Sequence, residues 1–405
     1  MRVIRAHVHL IWFLVITFAV RLTKHVYQIY VSVPILYVMA FVVLPAKHVW
    51  EMLVHEPGVD IAWCLGQEKL NEAPIMYYRP PEWHESQSLW LAWPFDSELW
   101  AENLAPAQHE FLALVDALKD QHIVVIFPDE EVLKNYAELF ADFNHVNLKV
   151  MNYGDIWLRD TLPIMVKDDE GKYFLVRPKF NGWGQKYIFE ADSDLSLRVA
   201  HELAMPVLNT KLIFEGGALE FDGQGTCITT EHCLLNANRN PGLSKAQVEA
   251  ELARLFGVKK TIWLKEGLKN DHTDSHVDTI ARFIAPAQVA LMIPQSPDDP
   301  NYQVLLNIRE EIRRESDAQG RKLKLIELPS PGAVLNHKGE PMPASYLNFI
   351  MGNKVLIMPT YNSSSDAEAC ALMQKHTNLQ VIALSARAIL TGGGAFHCIS
   401  QEYFK

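Results

Sequence analysis

The chain of 405 residues is long enough for one large α/β domain or two ordinary ones, and its acidic excess gives a formal net charge of −11. Nucleic-acid binding needs a basic face that neutralises phosphates, so we expect no nucleic-acid partner, whereas a small cationic substrate suits this charge. The five cysteines are few, odd in number and irregularly spaced, which argues against a disulfide framework and predicts a reducing, cytoplasmic compartment.

Residues 1–75 differ from the rest of the chain. They contain two apolar stretches, residues 8–20 and 26–44, of which only the second is just long enough to span a bilayer. One interpretation is a membrane anchor, which would make the protein membrane-associated. The other is an apolar leader outside the native fold, added by a start codon placed upstream of a natural start at Met76. Both interpretations stay open.

From residue 76 onward, segments of strand length alternate with amphipathic helices. The spacing predicts helices over 244–256 and 366–375, and strands over 123–127, 261–264 and 381–384. Such units recur about every 65 residues, which favours a repeated α/β architecture of strand-strand-helix-strand units. A doubly wound sheet fits the alternation equally well. No Pro- or Ser-rich linker divides residues 76–405, so we predict a single domain.

Two acidic clusters follow predicted strands. Residues 155–160 place Asp155, Trp157 and Asp160 within six positions, together with an arginine. Further along, Glu215 stands at the end of an apolar segment and before two glycines. Taken alone, the first cluster fits a salt-bridged loop and the second fits a turn.

A third cluster spans residues 271–278 and contains two histidines. On an extended strand His276 and Asp278 would point to the same face, because side chains alternate with a period of two. A histidine beside a carboxylate is suited to general acid–base catalysis. The alternative is a zinc or iron site formed by His272, His276 and Asp278, although no second histidine motif accompanies it.

Three consecutive glycines, Gly392 to Gly394, precede Cys398. Glycine runs are kept where the backbone takes positive φ or approaches a ligand closely. A thiol at such a place is a candidate nucleophile, although a lone cysteine also fits a small buried hydrophobe. A thiol, a histidine and several carboxylates together suit a planar cation. A guanidinium presents five N–H donors in a fixed fork, which carboxylates hold from two sides.

Seven short blocks occur in order over nearly all of residues 76–405. The blocks are Pro81-Glu82-Trp83 with Leu91-Ala92-Trp93-Pro94; Asp155-Ile156-Trp157-Leu158-Arg159-Asp160 with Pro163; Phe180-Asn181-Gly182-Trp183-Gly184; Glu215-Gly216-Gly217 with Asp222-Gly223-Gln224-Gly225-Thr226; Asn238-Arg239-Asn240-Pro241; His276-Val277-Asp278 with Ala281-Arg282-Phe283; and Gly392-Gly393-Gly394 with His397-Cys398-Ile399-Ser400-Gln401. In this order they resemble the agmatine deiminase and bacterial-type peptidylarginine deiminase family of the guanidine-modifying, or pentein, superfamily.

The resemblance implies an α/β fold that forms a five-bladed propeller of strand-strand-helix-strand units with pseudo-fivefold symmetry, with the site on its central axis. It also implies a set of site residues, with no metal and no organic cofactor. In that set Cys398 is the nucleophile, His276 the general acid and base, Asp160 and Asp278 the guanidinium clamps, and Glu215 the residue that orients the histidine. Trp157 and Gly394 would contact the substrate, and Trp93 and Asp96 are candidates for its distal amine, although a core residue and a helix cap fit them equally well.

The sequence departs from the family pattern without losing a catalytic side chain. Leu162, Gln185 and Ser275 stand where the family usually has glycine, and Ala395-Phe396 where Asn-Ile is common. These departures concern loop shapes rather than the reaction.

The activity implied is hydrolysis of agmatine to N-carbamoylputrescine and ammonia through a covalent cysteine intermediate. The chain ends soon after Cys398, without the further C-terminal module that secreted peptidylarginine deiminases of this type often carry, and this favours a small free substrate. Peptidylarginine deimination and guanidine binding with weak catalysis are the alternatives. The oligomeric state stays open, with a homo-oligomer as one alternative.

Overall fold

The computed structural model describes residues 75–405, which belong to one compact unit, Pro74–Lys405. The predicted leader of residues 1–75 therefore lies outside the described residues, except for its last position. Within the described part, no helix combines the length and the apolarity needed to cross a bilayer.

The strands of residues 75–405 form five separate sheets, of four, four, three, three and three strands. Their bounds are β1 Tyr77–Tyr78, β2 Ser86–Ala92, β3 Ile123–Phe127, β4 Val146–Val150, β5 Ile164–Asp168, β6 Tyr173–Lys179, β7 Val207–Ile213, β8 Glu220–Phe221, β9 Thr226–Thr230, β10 Lys260–Leu264, β11 Ala281–Ala285, β12 Gln288–Ile293, β13 Lys324–Pro329, β14 Ile350–Met351, β15 Val355–Thr360, β16 Gln380–Ser385 and β17 Ser400–Phe404. The mixed α/β class is confirmed, and the alternative of one doubly wound sheet is wrong.

All five sheets share one three-strand pattern, in which an antiparallel pair is followed by a parallel neighbour. The triplets are β17-β2-β3, β5-β6-β7, β8-β9-β10, β11-β12-β13 and β14-β15-β16, and β4 and β1 extend the first two. A parallel neighbour requires a crossover, and a helix supplies it in each unit. These crossover helices are α1 Leu104–Ala117, α2 Leu195–Glu202, α3 Lys245–Phe256, α4 Tyr302–Arg313 and α5 Asp366–Gln374.

Shorter helical segments occupy the connections. They are Ser97–Trp100, Ala101–Asn103, Glu130–Tyr136, Ala137–Phe140, Leu158–Thr161, Gly182–Gln185, Glu190–Asp192, Gly216–Ala218, Glu231–Leu234, Val277–Thr279 and Arg387–Leu390. Cys227 lies on β9, whereas Cys233 lies in the helical segment Glu231–Leu234.

The elements predicted from sequence spacing fall close to the observed ones. Strand β3 has the predicted bounds, because five consecutive apolar residues before a proline fill a wholly buried strand. Helix α3 begins after Ser244, whose side chain forms a capping box with Gln247, and it ends at Gly257 in the left-handed conformation. Local capping chemistry thus fixes both ends of this helix.

The five units supply the candidate site from equivalent positions. In each unit the segment just before the first strand of the triplet carries a polar side chain that reaches the site. These side chains are Asp160 before β5, Glu215 before β8, His276 and Asp278 before β11, Asn348 before β14, and Cys398 before β17. The site is therefore assembled from the whole length of the described chain.

Candidate active site

A cavity of about 730 Å³ contains several of the residues predicted from the sequence. Cys398 and Asp160 line it together with Gly394. Aromatic side chains also line it, among them Trp157 and Trp183. The cavity thus combines a thiol, a carboxylate and flat apolar walls.

Cys398 is held by an amide that the sequence patterns did not single out. Asn348 donates from Nδ2 to the Cys398 sulfur at 3.0 Å, and its Oδ1 accepts from the backbone N–H groups of Cys398 and Ala395. Burial, together with the negative charges of Asp278 and Asp160, raises the pKa of the Cys398 thiol well above its ordinary value. The thiol is therefore protonated at neutral pH in the unliganded site.

The glycine run makes room for side chains around the thiol. A Cβ at Gly394 would lie 2.8 Å from Trp157 Cζ3 and 2.9 Å from Cys398 Sγ, and one at Gly392 would lie 2.6 Å from Trp157 Cζ2. Only Gly393 of the three has positive φ, at 110°. Close approach of the Trp157 ring to the backbone therefore explains Gly392 and Gly394, and backbone conformation explains Gly393.

His276 lies at the turn that begins the segment Val277–Thr279, with φ −58° and ψ 138°. The prediction that His276 and Asp278 share one face of an extended strand is wrong, because the helical turn follows His276. Even so, the side chains of His276 and Asp278 both reach the space beside Gly217. Glu215 accepts from His276 Nε2 at 3.3 Å and from Arg239 Nε at 2.9 Å, so an anchored carboxylate fixes the imidazole ring.

His276 and Glu215 each stabilise the charged form of the other. Burial alone would lower the pKa of His276, but the charge of Asp160 and hydrogen bonds to Cys233 and Glu215 raise it well above its ordinary value. Burial opposes ionisation of Glu215, yet its hydrogen bond with His276 and the charge of Arg239 lower the pKa of Glu215. His276 is therefore an imidazolium at neutral pH, ready to donate a proton.

Asp160 is oriented by two donors. The indole Nε1 of Trp183 donates to its Oδ2 at 2.8 Å, and the backbone N–H of Gly217 donates to its Oδ1 at 3.0 Å. Trp183 reaches this position from a strained turn in which it has φ 52°. Burial raises the pKa of Asp160 above its ordinary value. A cation placed beside it would favour the ionised form.

Asp278 completes the group from the opposite side. Its Oδ2 accepts from His397 Nδ1 at 2.7 Å and from the Cys398 thiol at 3.4 Å. Burial opposes ionisation of Asp278, but the hydrogen bond from His397 and its charge lower the pKa of Asp278. Asp278 is therefore the ionised carboxylate nearest to the thiol.

The missing side chain of Gly217 marks the point where these groups converge. A Cβ there would lie 2.6 Å from His276 Nδ1, 3.0 Å from Asp278 Oδ2 and 3.1 Å from Asp160 Oδ1. His276 Nδ1 and Asp278 Oδ1 are buried and have no hydrogen-bond partner among the described residues. Buried polar atoms without partners are rare in proteins. Here His276 Nδ1 offers a hydrogen-bond donor to a ligand, and Asp278 Oδ1 offers an acceptor.

An aromatic wall lies beside this point. The indole rings of Trp100 and Trp157 stack with their centroids 6.2 Å apart, and each donates its N–H to Asp155, at 3.0 and 2.6 Å. Burial raises the pKa of Asp155 to about 6, so it remains mostly ionised at neutral pH. Trp157 lines the cavity, and its contact with a substrate stays a prediction.

Two of the predicted substrate contacts are wrong. Trp93 is wholly buried among Phe111, Phe127, Tyr136 and Phe140, and it does not line the cavity. The Oδ1 of Asp96 accepts from the backbone N–H groups of Glu98 and Leu99, which makes it the N-cap of Ser97–Trp100. The structural alternatives for these two residues therefore hold.

A metal site built on His272 has no geometric support. The His272 ring stacks on Tyr187, and its Nδ1 lies 3.1 Å from the Tyr187 hydroxyl. Glu215, Cys233 and His276 do bring three potential ligand atoms within 4.8 Å of one another. However, Arg239 occupies both oxygens of Glu215, and its positive charge opposes a cation there.

Two departures from the family pattern fall where glycine has a physical advantage. Gln185 has φ 68° and Ser275 has φ 72°, both in the left-handed region. The third position, Leu162, has φ −92° and needs no glycine. The family's usual glycines at the first two positions thus match the backbone conformation of this chain.

A thiol, an imidazolium and carboxylates that converge on one space are the groups of an enzyme class that acts on planar amidine cations, and the comparisons with known proteins show the family. The sequence pattern of the Porphyromonas-type peptidyl-arginine deiminase family matches residues 78–403. The chain belongs to this family, within the pentein superfamily of agmatine and peptidylarginine deiminases, and it is a hydrolase acting on the C–N bonds of amidines.

Relatives that this chain matches over nearly their whole length carry deiminase names. A Yersinia pseudotuberculosis protein named "Putative agmatine deiminase" is 34% identical over 363 residues, covering 84% of this chain and 99% of that protein. The structure of the Enterococcus faecalis agmatine deiminase matches with a TM-score of 0.76 and 27% identity, over 81% of this chain and 96% of that one. A substrate-bound agmatine deiminase of C. jejuni matches with a TM-score of 0.75 and 31% identity, over 84% and 99%.

Proposed function

We propose that this protein is an agmatine deiminase, which hydrolyses the guanidinium group of agmatine to N-carbamoylputrescine and ammonia. The observation that carries the proposal is the convergence of His276, Asp278 and Asp160 on the space beside Gly217, with the Cys398 thiol 3.4 Å from Asp278. The relatives named agmatine deiminase support the same substrate.

In this proposal Asp160 and Asp278 bind the guanidinium and hold its central carbon against the sulfur of Cys398. Holding the reactants together supplies a large part of the rate. The bound cation also offsets the carboxylate charges that raise the thiol pKa, so the thiol loses its proton to solvent and the thiolate forms when substrate arrives. Asn348, which donates to the sulfur, stabilises that anion.

The chemistry then proceeds in two halves. The Cys398 thiolate attacks the guanidinium carbon, and His276 protonates the departing nitrogen. Ammonia then departs, and a thiouronium remains covalently bound to the enzyme. The neutral His276 next takes a proton from water, which attacks the same carbon. Collapse of the second adduct releases the ureido product and returns the thiol, so the reaction needs no metal or organic cofactor.

Acidic groups along the cavity favour an amine at the far end of the substrate. Asp155 and Glu102 both line the cavity. A distal ammonium would gain from their charge, whereas the α-carboxylate of free arginine would be repelled by it. Arg387 also lines the cavity, and it would instead assist a carbonyl-bearing peptide substrate. Peptidylarginine deimination is for this reason the second candidate.

We further propose that the five strand-strand-helix-strand units form a five-bladed propeller around the site. Support comes from the shared strand pattern of the five sheets and from the equivalent positions that supply the site residues. Residues 76–405 are then one catalytic domain. An experimental structure with the five sheets arranged around a common axis would test this proposal directly.

The activity is tested by ammonia release from agmatine, free arginine and an arginine-containing peptide, measured side by side. We expect agmatine to have the highest kcat/KM. Cys398→Ala should abolish release from agmatine and prevent labelling by chloroacetamidine. The matched control is Cys370→Ala, which removes a half-buried free thiol on α5 and should retain activity. Activity that survives in Cys398→Ala, or that a chelator removes, would contradict the proposal.

Three further points accompany the proposed function: the cellular location, the nature of residues 1–75 and the oligomeric state. Cell fractionation would test the cytoplasmic location expected from the cysteine usage, and N-terminal sequencing of the native protein would decide between an anchor and a misplaced start. Light scattering of the purified protein would test whether it is a homo-oligomer.

A further inference from the structure

The histidine next to the thiol, His397, lies buried between two carboxylates. Its Nδ1 is 2.7 Å from Asp278 Oδ2, and its Nε2 is 2.7 Å from Glu82 Oε1. The His397 side chain is almost wholly buried, and the residue lines neither the cavity nor its mouth. The side chain of His397 therefore contacts the site through Asp278.

The two contacts define the protonation of the ring. An ionised carboxylate only accepts hydrogen bonds, so each of these contacts requires an N–H on the imidazole. Glu82 is held in the ionised form, because its contacts with the guanidinium groups of Arg159 and Arg282 surround it with positive charge. With both carboxylates ionised, His397 carries two N–H groups and a positive charge.

We propose that His397 is a positioning residue that holds Asp278 ionised and in place to receive the substrate cation. The proposal rests on the deiminase function above. Through Nδ1 the ring fixes Asp278 Oδ2, and Asp278 Oδ1 remains without a partner among the described residues and is available to a guanidinium N–H. Through Nε2 the ring is anchored to Glu82 and the buried arginines behind it.

The positive charge of His397 also balances the negative charge near the thiol. Asp278 and Asp160 both act against the thiolate, so removal of the imidazolium would leave two clustered carboxylates with less compensation. The charged and titratable groups that face Asp278 are His397, His276, Arg282, Arg159, Asp160 and Cys398, and those that face His397 are Asp278, Glu82 and Glu220. Of the cations in this set, only His397 donates directly to Asp278.

The bond to Asp278 can be separated from the bond to Glu82 with two amide variants. The amide nitrogen of asparagine lies near the position of imidazole Nδ1, so His397→Asn keeps a neutral donor for Asp278 but does not reach Glu82. The amide nitrogen of glutamine lies near the position of Nε2, so His397→Gln keeps a donor for Glu82 and loses the one for Asp278. The two variants remove the same charge and differ in the hydrogen bond they retain.

The measurement is the pH profile of kcat/KM for agmatine and of chloroacetamidine labelling of Cys398. Ionised Asp278 is needed to bind either cation, and His397 lowers the pKa of Asp278, so loss of His397 raises that pKa and moves the acidic limb to higher pH. We expect His397→Gln to move the limb upward by about one to two pH units, the size of a lost charge-assisted hydrogen bond. His397→Asn should move it by less. KM should rise more than kcat falls.

Three results would overturn the inference. The first is an acidic limb of the pH profile that does not move in His397→Gln. The second is a limb that moves at least as far in His397→Asn as in His397→Gln. The third is a loss of active protein in both variants with an unchanged pH profile. The last is what a purely structural role produces, and thermal unfolding and active-site titration detect it. Failure of the wild-type protein to release ammonia or to be labelled would instead refute the proposed function.

Discussion

Gly217→Ala adds one methyl group at the point where the three polar side chains meet. The new Cβ would lie 2.6 Å from His276 Nδ1, whereas an ordinary van der Waals contact begins at about 3.4 Å, so the two atoms must separate by about 0.8 Å. Gly217 is not among the positive-φ glycines, so the backbone itself accepts alanine. The effect of the substitution therefore comes from the clash alone.

We expect a large loss of activity with a small loss of stability. A displacement of about 1 Å at a reacting group costs about a hundredfold in rate. Overpacking one methyl group costs about 1–3 kcal/mol of unfolding free energy. The assays are ammonia release from agmatine and thermal unfolding followed by circular dichroism. Gly242→Ala is the control for a strained glycine substitution without a clash, because Gly242 has φ 79° and a Cβ there meets nothing within 4 Å, so it should lose stability and retain activity.

A Gly217→Ala enzyme with at least half of the wild-type kcat/KM would refute the reasoning. That result would mean that the space beside Gly217 is not occupied by the reacting group. Equal losses in Gly217→Ala and Gly242→Ala would refute it as well, because the clash would then not be the cause.

Three further predictions concern the groups around the thiol. Asn348→Ala removes the donor at 3.0 Å from the Cys398 sulfur and should slow chloroacetamidine labelling about tenfold, with an unchanged rate counting against a role in stabilising the thiolate. Trp183→Phe removes the donor to Asp160 and should raise KM for agmatine about tenfold while leaving kcat within a few fold, as steady-state kinetics would show. Because burial and the charge of Asp278 raise the pKa of Cys398, the neutral reagent iodoacetamide should alkylate it much faster at pH 10 than at pH 7, and equal rates would contradict a protonated thiol.

The sequence predicts the helices and strands well where the signal is local. The apolar run of β3 and the caps of α3 are written in adjacent residues, so their positions follow from short-range chemistry. The prediction for His276 and Asp278 failed because period-two spacing also fits a short helical turn. The tripeptide His276-Val277-Asp278 does not distinguish a strand from a helical turn.

The part of the site that sequence reasoning missed depends on long-range contacts. Asn348 lies in no recognised block, yet it donates to Cys398 from 50 positions away. Its position before β14 is equivalent to that of Cys398 before β17, so an alignment of the five units would have pointed to it. His397 and Glu82 both lie within recognised blocks, but the sequence does not show that they are hydrogen-bonded to each other. Only their proximity in the folded chain shows this.

Trp93 and Asp96 show the limit of the same reasoning. Both stand near residues that shape the cavity, and an indole and a carboxylate suit a distal amine. Trp93 instead completes an aromatic cluster, and Asp96 caps a short helix. The carboxylate that does line the aromatic wall is Asp155, which the sequence identified as part of a cluster without assigning it a contact.

The central claim, that Cys398 forms a covalent adduct with a guanidine substrate, is tested most directly by mass spectrometry of the protein quenched in acid during turnover of agmatine. The account predicts a protein species heavier by agmatine less ammonia, with the added mass on the peptide that contains Cys398, and no such species in Cys398→Ala. Turnover without an adduct, or an adduct on a different residue, would contradict it.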